Sequence, residues 1–249
     1  MLKFFRHIRQ RLLSENRFSK YALYAIGEII LVVIGILIAL QINDWNQERL
    51  DARERNVIVN GLHAEFKQNK IQVQNIVKTY QASKNNGVTL MNYIGQEEFG
   101  TPEKDRINNL LDGIFPAVDY LPSNNAIEEI IQSGKLKNLK NAELSSKLSA
   151  WKVLMFTIVG REAKLDQWTF SEVIPYLNKY ISWRDVGVVK EYDWATNGQL
   201  STNYPTIFKD LEFENILENQ IYLVNSCLVR YEEALVLIEE IITMTTAEK

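Results

Sequence analysis

The chain has 249 residues, a formal net charge of -3 and one cysteine, Cys227. A single cysteine excludes an intramolecular disulfide and a cysteine-cage metal site, leaving only an interchain bridge open. The only histidines, His7 and His63, stand in no HExxH motif, and no GxGxxG, P-loop or GxSxG occurs, so no catalytic or cofactor residue is assigned.

The charge is uneven along the chain. The first 20 residues hold Lys3, Arg6, Arg9, Arg11, Arg17 and Lys20 against Glu15 alone. Residues 43–249 carry 22 bases and 29 acids. An acidic body without a basic cluster does not suit nucleic-acid binding. Within the leader, Phe4, Phe5, Ile8 and Leu12 share one helical face with bases around it. It is either an amphipathic segment lying on an anionic membrane surface or simply a basic topogenic tail.

Residues 21–42 read as a transmembrane helix. At about 1.5 Å per residue this length spans the ~30 Å hydrocarbon layer. No small-residue cleavage site follows, so the segment reads as an uncleaved signal anchor. The basic leader predicts a cytoplasmic N-terminus and a periplasmic C-terminal domain, with Tyr21, Tyr24 and Trp45 at the two interfaces. Inside the segment sits a carboxylate, Glu28. At 100° per residue it aligns with Tyr21, Tyr24, Val32, Gly35, Ala39, Ile42 and Asn46 to within about 40°. Small residues at Gly35 and Ala39 allow close helix approach, and intramembrane acids usually face a partner. Glu28 therefore reads as part of a helix-packing stripe, as a solvated acid near the headgroups, or as a proton-handling group.

Beyond the segment the apolar spacing steps by four and three. The stripes run through Leu62, Phe66, Asn69, Val73, Ile76 and Tyr80, then through Leu144, Leu148, Trp151, Met155, Ile158, Glu162 and Leu165. A third joins Phe213, Leu217, Ile221, Val224, Leu228, Tyr231, Leu235, Ile238 and Ile242. Such seams predict an all-α fold: an elongated, antiparallel, coiled-coil-like bundle over residues 43–249, able to fold alone. No Pro or Gly falls between Gly35 and Gly61, so the first helix should continue unbroken from the anchor. Thr101-Pro102, Asn125 with Glu128, and Asn141 read as helix starts, Ser133-Gly134 as a helix end, and Pro175 as a kink or stop.

Residues 181–205 lose the helical period and collect Trp183, Arg184, Tyr192, Trp194 and Tyr204. Aromatics and charges in a long loop suit a ligand or partner site; the other reading is that these rings plug the end of the bundle. Val186 to Tyr192 could form a small hairpin around Gly187.

The stretch AIGEIILVVIGILIALQINDWN, preceded by FFRHIRQRLLSENRFSKYALY, resembles an uncharacterised domain-of-unknown-function family of single-pass membrane proteins from Gram-negative bacteria. A second stretch, AIEEIIQSGKLKNLKNAELSSKLSAW at residues 126–151, resembles the same family. The resemblance covers about a third of the chain directly. It implies a bacterial envelope protein and a recurring place for Glu28, and brings no catalytic residues.

The sequence thus leads to a non-enzymatic interaction, sensing or assembly module in the inner membrane, pairing with itself or another membrane protein. The alternative is an accessory subunit of an ion-driven membrane complex that uses Glu28.

Overall fold

The computed structural model describes residues 18–118, 122–196 and 198–246, and all regular structure among them is helical. The chain divides into two compact units, one ending at Val57 and one beginning at Ile58. Helix α1, Phe18–Met91, contributes to both.

In the first unit α1 is apolar and uncovered. Leu23, Ile29, Ile30, Leu31, Val32, Val33 and Leu37 are all exposed. Consecutive apolar residues point in every direction around a helix, so here the apolar side chains form a complete cylinder. Residues 1–17 of the basic leader lie outside the described residues.

The second unit is a helical bundle. After α1 come α2 (Thr101–Gly113), α3 (Asn125–Gln132) and a 3-10 turn (Lys135–Leu139). Then follow α4 (Ala142–Trp168), α5 (Ile174–Leu177), α6 (Trp183–Val189), α7 (Tyr204–Phe208) and α8 (Leu211–Thr245). The three seams meet in one core, where Leu62, Phe66, Trp151, Ile158, Leu228 and Ile238 are buried. Phe66 and Trp151 pack edge to face at 5.1 Å.

Helix α8 runs antiparallel to its neighbours: Lys84 reaches Asn225 and His63 reaches Thr245 along α1, while Lys147 meets Glu240 on α4. Helices α1 and α4 run parallel, because the segment between them returns down α1. Asn86 Nδ2 donates to the Gly113 carbonyl and Ser83 Oγ to the Ile114 carbonyl. Farther down, Asn69 holds Ser123 with two hydrogen bonds, one to its carbonyl and one from its amide, at 2.8 and 2.9 Å. Gly87 permits a close approach of α8 to α1, since a Cβ there would stand 2.6 Å from Ile221 Cγ1.

The helix ends follow the expected chemistry with small shifts. Asn141 caps α4 by accepting from the Leu144 amide at 2.9 Å, and Gly134 takes the left-handed conformation after α3. The starts at 101 and 125 each lie one residue inside the helix: Gly100 and Asn124 are the caps, and the Glu103 carboxylate accepts from the Gly100 amide. Helix α5, which carries Pro175, ends at Leu177, two residues past the proline, as expected of a proline near a helix tail. A π-turn at Thr169–Val173 precedes it, with the Ile174 amide donating to the Thr169 carbonyl five residues back. The wider turn accommodates a proline ring that would clash with the carbonyl four residues earlier.

Candidate functional site

Three places in the structure are candidate sites. The first is the stripe on α1. Glu28 is half-buried, whereas Gly35 and Ala39 are exposed. A Cβ added at Gly35 would meet nothing within 4 Å, so the small-residue face is open along its own unit. Tyr24 and Trp45 are exposed at the two ends of the apolar stretch, and the Arg49 guanidinium lies 6.0 Å from the Trp45 ring. Tyr21 has no described side chain.

The second site is the aromatic segment 181–205. No hairpin forms around Gly187. Instead Ser182 caps a short helix, α6, its side chain accepting from the Asp185 amide, and Gly187 lies within it. A Cβ on Gly187 would stand 3.3 Å from the Tyr192 ring, so the turn after α6 folds back tightly over that glycine. Helix α6 packs on α2, and Lys190 pairs with Asp112 at 2.9 Å.

The five residues expected to act together divide. Tyr204 is buried, and its hydroxyl donates to Asn108 Oδ1 at 2.9 Å. Burial pushes its phenol above the ordinary range. Trp183 packs against the second core, formed by Leu90, Ile107, Tyr176, Phe208 and Phe213, and its indole donates to Asn178 Oδ1 at 2.6 Å. Arg184 donates to the Thr196 hydroxyl. Tyr192 and Trp194 instead stack on each other in the open, rings 4.8 Å apart and 16° from parallel, with Trp194 76% exposed. Two of the rings therefore plug the bundle end and two form an outward pair.

The third site escaped the sequence reading. Glu162 sits in the α4 seam between Ile158 and Leu165, and accepts hydrogen bonds from Tyr80 of α1 at 3.0 Å and Tyr231 of α8 at 2.7 Å. Both tyrosines are buried, and the rings lie 5.6 Å apart beside buried Cys227. Burial first, then the Glu162 charge, raises Tyr80 well above the ordinary phenol range. Tyr231 is raised by burial and by its hydrogen bond to Glu162. Burial pushes the Cys227 thiol from 9.0 up to about 12. A reactive cysteine needs the opposite shift, because only the thiolate attacks. The node ties three helices at one level. Its signal in the sequence was a carboxylate at a seam position otherwise occupied by apolar residues. Among the described residues no group of three or more His, Cys, Asp or Glu side chains is arranged to hold a metal ion.

Among the described residues one helix, α1, is long and apolar enough to cross a membrane. The fold and these sites define an all-α bundle protein with one uncovered apolar helical stretch. The chain belongs to a family of unknown function, DUF6090, whose model matches residues 28–159, just over half of its length. The match begins at Glu28, takes in the apolar stretch and the residue 126–151 segment, and stops short of the aromatic segment and α8. No curated protein and no solved structure matches the chain.

Proposed function

We propose that the protein is a bacterial envelope component held in the inner membrane by residues 21–42, with its N-terminus in the cytoplasm. The bundle is then a periplasmic, non-enzymatic module for interaction, sensing or assembly. The observation that carries this reading is the uncovered apolar cylinder. Exposed residues at successive positions from Ile29 to Ile34 cannot all be hidden by one partner helix, whereas lipid surrounds a helix on every side. Bases precede the stretch, and Asp44, Glu48 and Asp51 follow it, which supports a cytoplasmic leader. The buried, proton-retaining Cys227 and the hydrogen-bonded Glu162 node support structural rather than chemical roles.

The test is a phosphatase fused after Lys249 together with alkaline extraction of membranes. The reading expects an active fusion that stays in the membrane pellet. A stable but inactive fusion overturns the orientation, and release by alkali overturns the anchor.

A further inference from the structure

We propose that the stacked pair Tyr192 and Trp194, with the carboxylates of Glu191 and Asp193, is a preformed platform that docks an arginine-bearing segment of a partner protein. The platform is built from beneath. Tyr192 lies over Gly187, where a Cβ would stand 3.3 Å from the Tyr192 ring and 3.4 Å from Ala195 Cβ. The Tyr192 amide donates to the Gly187 carbonyl at 3.2 Å, and the Ala195 amide to the Tyr192 carbonyl at 2.9 Å. Between them Glu191 turns the chain with a φ of 56°. A residue other than glycine keeps this left-handed conformation only where its surroundings impose it. Tyr192 is thereby fixed, and Trp194 stacks on it. With one face on Tyr192 and 76% of its surface exposed, Trp194 turns its other face to solvent.

The charges of the segment name the occupant. Glu191 and Asp193 flank Tyr192 in the chain, and both are exposed. Neither carboxylate makes an ion pair or a hydrogen bond among the described residues. The bases of the segment are engaged elsewhere: Lys190 pairs with Asp112 at 2.9 Å, and Arg184 donates to the Thr196 hydroxyl. Residues 183–196 with Asp112 thus hold two bases, Arg184 and Lys190, against four acids, Asp112, Asp185, Glu191 and Asp193.

A guanidinium answers both features. It is planar and lies flat on an indole, its charge is drawn to the ring face, and its N–H fork reaches a carboxylate. An ammonium is a compact, strongly hydrated charge and gains less from a flat ring. An apolar partner would strip water from the two carboxylates without pairing them. An anionic lipid surface would meet like charge. Because the rings are held before binding, docking orders little. The inference deepens the interaction role proposed above and rests on it, but does not use the anchor.

The experiment titrates the full-length chain, in a neutral detergent at low salt, with a short acetylated and amidated glycine peptide carrying arginines, read by calorimetry. Saturable binding is expected, weaker with lysine in place of arginine and absent with citrulline, which is flat but uncharged, or with norleucine. Trp194→Ala should weaken the arginine peptide about threefold, as loss of an exposed cation–ring contact does. Glu191→Gln with Asp193→Asn should weaken it by at least about as much. Glu214→Gln with Glu218→Gln, two exposed acids of α8, should leave it unchanged. No saturable binding, equal binding of the citrulline or norleucine peptide, or an equal loss from the α8 pair overturns the proposal. A dimer that Trp194→Ala dissociates would give the rings to a second copy and likewise overturns it. Alkaline extraction reads the anchor separately, so failure of peptide binding leaves the anchor standing.

Discussion

The two halves of α1 belong to one continuous helix and meet different surroundings. From Leu23 to Ile42 the apolar residues occupy every direction and all of the large ones are exposed. From Leu62 to Leu90 they recur at every third or fourth position, and Leu62, Phe66, Val73, Ile76, Tyr80 and Leu90 are buried against other helices. Composition and period both separate the halves: Glu28 is the one charged residue from 23 to 42, whereas Glu65, Lys67, Lys70, Lys78 and Lys84 fall between the apolar positions from 62 to 90. A seam asks for partner helices, and a cylinder asks for an apolar solvent.

The sharpest way to break this comparison is to charge the cylinder. Each arginine near the centre of a spanning helix costs about 2.5–3.5 kcal/mol on insertion scales. Leu31→Arg with Val33→Arg should therefore abolish alkali-resistant membrane association, read by fractionation. Retention of the double variant in the pellet would mean that the cylinder is not the anchor.

Opening the seam should act on folding instead. Trp151 is fully buried, packs on Phe66, and donates its indole N–H to Asn124 Oδ1 at 2.6 Å. Trp151→Ala should cost about 3–5 kcal/mol, lowering the urea midpoint of the chain, while Ile34→Ala in the exposed stretch should leave it unchanged in detergent. Equal effects at the two sites would erase the distinction between the halves. A smaller loss is expected at Gly87→Ala, where the new methyl must displace Ile221. Overpacking of this kind costs about 1–3 kcal/mol.

The buried node adds a pH dependence to the stability of the bundle. Cys227 titrates from an ordinary 9.0 up to about 12 in the folded state. Tyr80 and Tyr231 are likewise raised above their ordinary 10.0. Above pH 9 the unfolded chain therefore gives up protons that the folded chain keeps, so stability is full below pH 9 and falls as pH rises. The urea midpoint should be level in this respect to pH 9 and decline beyond it. Tyr80→Phe should make the decline above pH 10 shallower. A flat profile through pH 11 would show that these groups are open to solvent.

Much of this organisation was legible in the sequence, because a seam is a repeated signal. Leu144 to Leu165 gave seven aligned positions, and every apolar one of them is buried. Two things were not legible. The hydrogen-bond role of Glu162 depends on tyrosines 82 and 69 residues away in the chain, and no local pattern encodes that distance. The α6 helix was hidden because its seven residues include Gly187 and three valines, all poor helix formers. The Ser182 cap and packing on α2 outweigh those propensities.

The smallest expected effect lies where the aromatic segment divides. Tyr204 and Trp194 were indistinguishable as loop aromatics, but Tyr204 is buried with its hydroxyl on Asn108, while Trp194 touches Tyr192 and solvent. Tyr204→Phe removes one partner of a buried hydrogen bond and leaves Asn108 Oδ1 without that donor, a loss of about 1–3 kcal/mol. Trp194→Ala removes an exposed stack and should change stability by less than about 0.5 kcal/mol. Thermal melts of the two variants test the division directly. If Trp194→Ala destabilised the fold as much as Tyr204→Phe, the outward pair would be part of the plug, and its exposure would carry no meaning for binding. If the melt is unchanged, the two rings are held outward at no cost to folding. A conserved fold with an altered response to any added ligand or partner would then isolate them as a contact surface.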